Sequence, residues 1–231
     1  VKDDVNAVGF FEDDDREVFD TNMRHIFWMD GGPLERIQPV VNYNRYRSRE
    51  GVLRSVRLNA RLISVFRSGW EIELQYIDEF KLFEKKFYND RTIITVRWDG
   101  RDGRRVSTYA GSGYNFDNDL MLYGARVEWP FGDHWRFSYN LTHLELGPDL
   151  EDETTTIHVF EMLYQVNPDL FAKLFVQTNS AIEKENVQLL GVWRFRPPFG
   201  SLQVAYQRGT SEQGRQSDQG DTFFTKLAWS F

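Results

Sequence analysis

The chain contains no cysteine. That excludes a disulfide scaffold, a Cys-ligated metal and a Cys nucleophile. Long apolar runs are also missing, and none approaches the roughly 18 residues that a membrane-spanning helix needs. Lysine is scarce, at 7 against 21 arginines. Histidine is scarcer still, and no pair among His25, His134, His143 and His158 has metal-ligand spacing. The net charge of −7 lacks the basic excess of a nucleic-acid binder, so no nucleic-acid partner is expected.

What the chain does have is aromatic side chains, 16% of its 231 residues. A low-complexity disordered chain would lack them. The length suits one domain or two small ones. Helical periodicity is nearly absent, whereas alternation with period two runs almost throughout. Near the end, Phe223, Thr225, Leu227, Trp229 and Phe231 share a face; Leu202, Val204 and Tyr206 alternate with Ser201, Gln203 and Gln207. Trp70, Ile72, Leu74 and Tyr76 alternate with Glu71, Glu73 and Gln75, and Val56, Leu58, Ala60 and Leu62 with Arg57, Asn59 and Arg61. In all, the pattern yields thirteen candidate strands between 22 and 231, most of about ten residues. Globular strands average five or six residues, whereas tilted membrane-spanning strands need about ten.

The polar face of these strands is strongly charged. It carries Arg57, Arg61, Glu71, Glu73, Arg97, Arg126, Glu128, Arg136, Lys173 and Arg194. A guanidinium fork suits cross-strand pairing with Glu71, Glu73 and Glu128. Such a face either lines a polar lumen with the apolar face toward lipid, or it covers a soluble sandwich.

Turns and tryptophans favour the lumen. Short turns rich in Gly and Pro stand at 30–33, 67–69, 130–133, 167–169 and 196–200. The alternate connections, 45–52, 81–91, 113–119, 145–155 and 208–221, read as longer and more charged. Every tryptophan, Trp28, Trp70, Trp98, Trp129, Trp135, Trp193 and Trp229, lies near a short-turn end or the C-terminus. Indole is favoured at a membrane interface, where its ring is apolar and its N–H stays wet. The expected fold is therefore all-β: an antiparallel transmembrane β-barrel of about 13–14 strands. Residues 1–20 are expected to form an N-terminal segment with a partial strand and an outer loop, and 21–231 the spanning strands.

The last strand, Thr225, Leu227, Trp229 and Phe231 at alternate positions, resembles the C-terminal insertion signal of bacterial outer-membrane barrels, which the barrel-assembly machinery reads. Leu227, Trp229 and Phe231 are its candidate residues. With strand 221–231 running inward, strand 22–30 also runs inward, and two strands of one direction cannot close an antiparallel barrel. Single-chain bacterial barrels have even counts. Either Val5–Phe11 ends a fourteenth strand or the chain is the C-terminal part of a larger barrel, and the second is the expectation preferred.

A family resemblance rests on specific blocks. Asn167-Pro168-Asp169-Leu170-Phe171 precedes Leu174-Phe175-Val176-Gln177-Thr178-Asn179-Ser180, and Trp193-Arg194-Phe195-Arg196-Pro197 precedes Leu202-Gln203-Val204-Ala205-Tyr206. Val8-Gly9-Phe10 stands ahead of an Asp/Arg stretch. The chain thus resembles the C-terminal barrel region of a largely uncharacterised family of bacterial outer-membrane proteins. In that family a carbohydrate-binding module of the family-nine type precedes the barrel. The module's residues are not in this sequence, so sugar binding is not carried over.

The functional expectation is an outer-membrane barrel, pore-like, transporter-like or a scaffold for periplasmic or membrane partner proteins, in contact with outer-membrane lipid. The alternatives are a barrel enzyme, lipase or protease, and a soluble β-barrel or sandwich that binds a ligand. Catalysis is not expected: His143 lies on an apolar face with no Ser evidently beside it, and His158 follows the acidic run Glu151-Asp152-Glu153. That run, with Asp13-Asp14-Asp15 and Asp117-Asn118-Asp119, offers oxygen ligands to Ca²⁺ at outer loops. None has the spacing of a defined loop, so solvated loops and no cofactor or metal are the plainer expectation.

Overall fold

A computed structural model of the chain describes residues 16–100, 102–147, 153–181, 184–196, 200–209 and 220–229. The described residues hold fourteen strands and no helix: β1 (Glu17–Arg24), β2 (Phe27–Trp28), β3 (Leu34–Arg47), β4 (Leu53–Phe66), β5 (Trp70–Leu82), β6 (Lys86–Asp99) and β7 (Arg105–Asn115). They continue with β8 (Asn118–Phe131), β9 (Trp135–Gly147), β10 (Glu153–Asn167), β11 (Leu170–Asn179), β12 (Lys184–Arg196), β13 (Gly200–Gly209) and β14 (Gly220–Trp229). All belong to one sheet, ordered β1-β3-β4 and onward to β14, with β2 also on β3. The ladders from β1 to β5 and from β10 to β14 are antiparallel throughout.

β1 and β2 are one strand with a break. Arg24 faces Val40 and Phe27 faces Ile37, so the register passes unchanged through His25 and Ile26. The break falls opposite Pro39, whose carbonyl accepts the His25 N–H at 3.2 Å. Pro39 has no N–H to return, so the ladder loses one rung there.

The sheet is open. β1 and β14 stand at opposite ends of the strand order and do not pair with each other among the described residues. Counting β1 and β2 as one, thirteen antiparallel strands leave both end strands running the same way, which forbids antiparallel closure of one on the other. As the strand parity read from the sequence requires, the described strands do not by themselves close into a barrel. Val5–Phe11, Phe231, Asp13–Asp15 and Glu151–Asp152 lie outside the described residues.

The two sets of connections also differ less than their composition suggests. β5 runs to Leu82 and β6 starts at Lys86, so residues 81–91 are mostly strand. β7 and β8 are joined by Phe116 and Asp117 alone, with φ of 50° and 69°. Positive φ at both central residues is the twist of a type I′ hairpin. Asn89 Oδ1 accepts the Phe116 N–H at 2.7 Å, and the Phe116 ring packs 4.9 Å from Phe87. Lys85 forms an ion pair with Asp117. Packing and hydrogen bonding thus hold a left-handed pair that no glycine eases. At the opposite strand ends the turns use local chemistry: Gly69 adopts φ 86° after β4, and Asn167 Oδ1 accepts the N–H groups of Asp169 and Leu170, each at 2.9 Å.

By contacts the chain divides into two compact units. The first comprises the described residues of Val1–Val96, Ala110–Met121 and Leu146–Glu151, and the second those of Arg97–Tyr109, Leu122–Glu145 and Asp152–Phe231. In the second, Gly124 accommodates a neighbour. A Cβ there would lie 2.3 Å from the Leu141 carbonyl oxygen and 2.6 Å from the Tyr109 ring. Tyr109 reaches over that glycine, its hydroxyl 3.3 Å from Thr142 Oγ1. A glycine covered by an aromatic ring is a device for bending a sheet without losing side-chain cover.

Candidate functional site

Register converts the period-two pattern into two chemically opposite faces. In the first unit, cross-strand pairing sets Asp20, Asn44, Arg57 and Glu79 in one row across β1, β3, β4 and β5. The next row is Asn22, Asn42, Asn59 and Ile77, and the third Arg24, Val40, Arg61 and Gln75. The intervening rows put Met23 beside Val41 and Leu62 beside Leu74 on the other face.

Hydrogen bonds knit the polar rows. Arg24 donates to Gln38 at 2.8 Å, Gln75 to Asn59 at 3.0 Å, and Asn22 to Asn42. Arg61 stands 3.8 Å from Glu73, and Lys81 3.1 Å from Glu79. A recess of about 490 Å³ opens among Asp20, Asn42, Asn44, Ser55, Arg57, Asn59 and Glu79. Four buried nitrogens of this unit, Arg47 Nε, Arg61 Nε, Asn89 Nδ2 and Arg91 Nε, have no hydrogen-bond partner among the described residues. Groups of that kind are ordinarily met by water or a ligand.

The second unit carries its own charged pairs. Arg126 lies 2.5 Å and Arg105 3.8 Å from Glu128. Lys173 pairs with Glu161 at 2.9 Å. Arg194 lies over the Phe171 ring at 5.9 Å and donates to the Pro168 carbonyl at 3.4 Å. The expected partnerships of Arg with Glu73 and Glu128 are therefore formed, while Lys173 and Arg194 find partners the sequence did not suggest. Glu71 and Arg97 are also engaged. Arg136 is exposed on β9, opposite in parity to Trp135 and Phe137. Sequence reasoning passed over Asp20, Asn44, Glu79, Arg105 and Glu161, although the same alternation marks them.

Burial is inverted relative to a water-soluble core. Among the described residues thirty large hydrophobic side chains are exposed and only Val40, Ile77, Leu120 and Val192 are buried. Meanwhile Glu73 is 7% exposed and Leu74, its neighbour in sequence, 48%. Val40 and Ile77 lie in the polar rows, so the apolar face itself buries little.

The tryptophans sit where the sequence places them along the strands. In the first unit Trp28 ends β2 and Trp70 begins β5. In the second, Trp98 and Trp129 lie 6.5 Å apart, Trp135 lies 4.3 Å from Tyr164, and Phe195 bridges Trp193 at 5.6 Å and Trp229 at 5.4 Å. Arg104 caps the Trp129 ring at 4.9 Å. Leu227 and Trp229 are exposed on the face of β14 that continues Phe223. Below Trp193 an apolar groove of about 360 Å³ runs past Leu170, Ala172, Gly191 and Val204.

A polar cluster interrupts the apolar face of the second unit. His143 Nδ1 contacts Thr156 Oγ1 at 2.8 Å, its Nε2 contacts Glu145 at 2.9 Å, and Tyr123 stacks on its ring at 4.4 Å. Tyr139 bonds His158 Nδ1 at 2.7 Å. Hydrogen bonds on both ring nitrogens satisfy His143 where an apolar residue would be expected. The partner missing from the sequence reading is a threonine on the next strand. No group of three or more His, Asp and Glu with metal-binding geometry occurs among the described residues. The chain matches no protein-family model and no curated protein.

Proposed function

We propose that this chain forms the wall of a bacterial outer-membrane β-barrel that lets polar solutes pass along its charged face. The inverted burial carries this reading. Water would penalise the exposed large hydrophobics, most of which lie on the apolar face of their strands, by roughly 1.5–3 kcal/mol for each side chain left uncovered. Lipid on that face removes the penalty, and water in a lumen meets the unpartnered Arg and Asn nitrogens. The Trp-rich strand ends would then lie at one interface, and Gly124 beneath Tyr109 would help bend the wall. Leu227, Trp229 and Phe231 would be read by the barrel-assembly machinery. In this reading Arg57, Arg61, Glu71, Glu73, Arg97, Arg126, Glu128, Arg136, Lys173 and Arg194 line the passage and set its field. Membership of the family with the family-nine-type module remains part of the proposal.

Membrane fractionation and planar-bilayer recording test it together. The protein should stay with the outer membrane until detergent is added, and the purified protein should give discrete conductance steps. Release into buffer without detergent would refute the membrane assignment. A membrane-bound protein without steps would favour a scaffold barrel over a pore.

A further inference from the structure

We propose that the recess on the polar face of β1, β3, β4 and β5 binds a small zwitterion through paired carboxylate and ammonium groups. The ligand class is a free α-amino acid or the two ends of a short peptide. Two charges of opposite sign face this recess without a side-chain partner among the described residues: the Arg57 guanidinium and the Asp20 carboxylate. Three of the other lining side chains are engaged instead. Glu79, beside Arg57 in the register, is taken by Lys81 at 3.1 Å, and Asn59 and Asn42 are held by Gln75 and Asn22.

The register fixes the spacing. Asp20, Asn44 and Arg57 stand side by side on three consecutive strands, so the two charged residues are two strand spacings apart, about 9.6 Å between backbones. An arginine side chain leaning toward Asp20 shortens that gap to the size of a small zwitterion. Asn44 lies between them and can both donate to and accept from the ligand.

Alternative ligand classes fit less well. A simple anion would gain Arg57 but meet Asp20 and Glu79, and a simple cation would meet Arg57. A neutral polyol would leave both charges uncompensated. A zwitterion answers both at once, and the fork of Arg57 suits a carboxylate bidentately. The recess holds about 490 Å³, more than a single amino acid fills, which leaves space for a peptide bond and a second residue.

The test is calorimetric titration of the full chain, folded in detergent micelles, with glycine, glycylglycine and triglycine. Because it requires no bilayer current, its failure is distinct from failure of the pore reading. At least one of the three should bind saturably, and their order separates a free amino acid from peptide ends. N-acetylglycine, which lacks the ammonium, and glycinamide, which lacks the carboxylate, should each bind at least tenfold more weakly. Asp20→Asn and Arg57→Gln should each cost at least tenfold with strand content unchanged by circular dichroism. Equal binding of N-acetylglycine and glycylglycine would overturn the proposal, as would full affinity in either variant. So would binding of glucose in the absence of binding by any zwitterion. The ligand comparison uses the unaltered protein, so it stays decisive even where a variant fails to fold.

Discussion

Replacing Leu74 by arginine distinguishes the two faces of the sheet most sharply. Leu74 lies on β5, 48% exposed, opposite Leu62 and between Ile72 and Tyr76 on the apolar face. Trp70 opens the same strand four residues earlier. Four residues at about 3.4 Å each place Leu74 about 14 Å along the strand from the indole. In the proposed barrel, with a strand tilt of about 40°, that would be about 10 Å of depth, close to the middle of an apolar band about 25 Å tall. A cation at that depth on the lipid face costs about 2–4 kcal/mol, or roughly 30- to 1000-fold in the folding equilibrium. Gln75→Arg, one residue on, turns the same charge toward the polar rows beside Asn59 and Arg61. It loses the 3.0 Å amide bond and should cost only about 1 kcal/mol. The measurement is urea titration of each variant refolded into phospholipid vesicles, followed by tryptophan fluorescence. Equal costs at 74 and 75, or a larger cost at 75, would refute the assignment of the apolar face to lipid.

Two further substitutions test local devices of the fold. Gly124→Ala drives a Cβ into Tyr109 and the Leu141 carbonyl and should destabilise by about 1–3 kcal/mol; Tyr109→Ala should recover part of that loss in the double variant, so strict additivity in urea titrations would refute the packing role. Pro39→Val supplies the missing N–H opposite the His25 carbonyl and should slow amide exchange from Arg24 to Phe27 by joining β1 to β2; unchanged exchange would mean that something other than the proline makes the break.

The strands were legible because each has two faces that differ in kind. The alternation of Trp70, Ile72, Leu74 and Tyr76 with Glu71, Glu73 and Gln75 admits one reading of β5, and each of the thirteen candidate strands has its counterpart. Strand ends were not legible where both faces turn polar. Lys81 and Lys86 sit in β5 and β6, and Asn115 and Asn118 in β7 and β8, yet composition reads all four as loop. The hairpin of Phe116 and Asp117 carries no Asn-Gly signal, because its shape depends on Asn89 twenty-seven residues upstream. The recess was hidden for a related reason. Asp20, Asn44, Arg57 and Glu79 lie on four strands, and only the register brings them into one row.

The common direction of β1 and β14 bears on how copies of this chain can meet. Joining the last strand of one copy to the first of the next would make a parallel seam in an antiparallel sheet, the less stable of the two pairings. Head-to-tail addition of that kind is the route by which identical subunits grow into fibres without limit. Two β1 edges related by a twofold axis would instead pair antiparallel and stop at two. The parity of the strands therefore favours finite association over runaway growth, a useful bias for a sheet whose first and last strands lack an outer neighbour among the described residues and which exposes so much apolar surface.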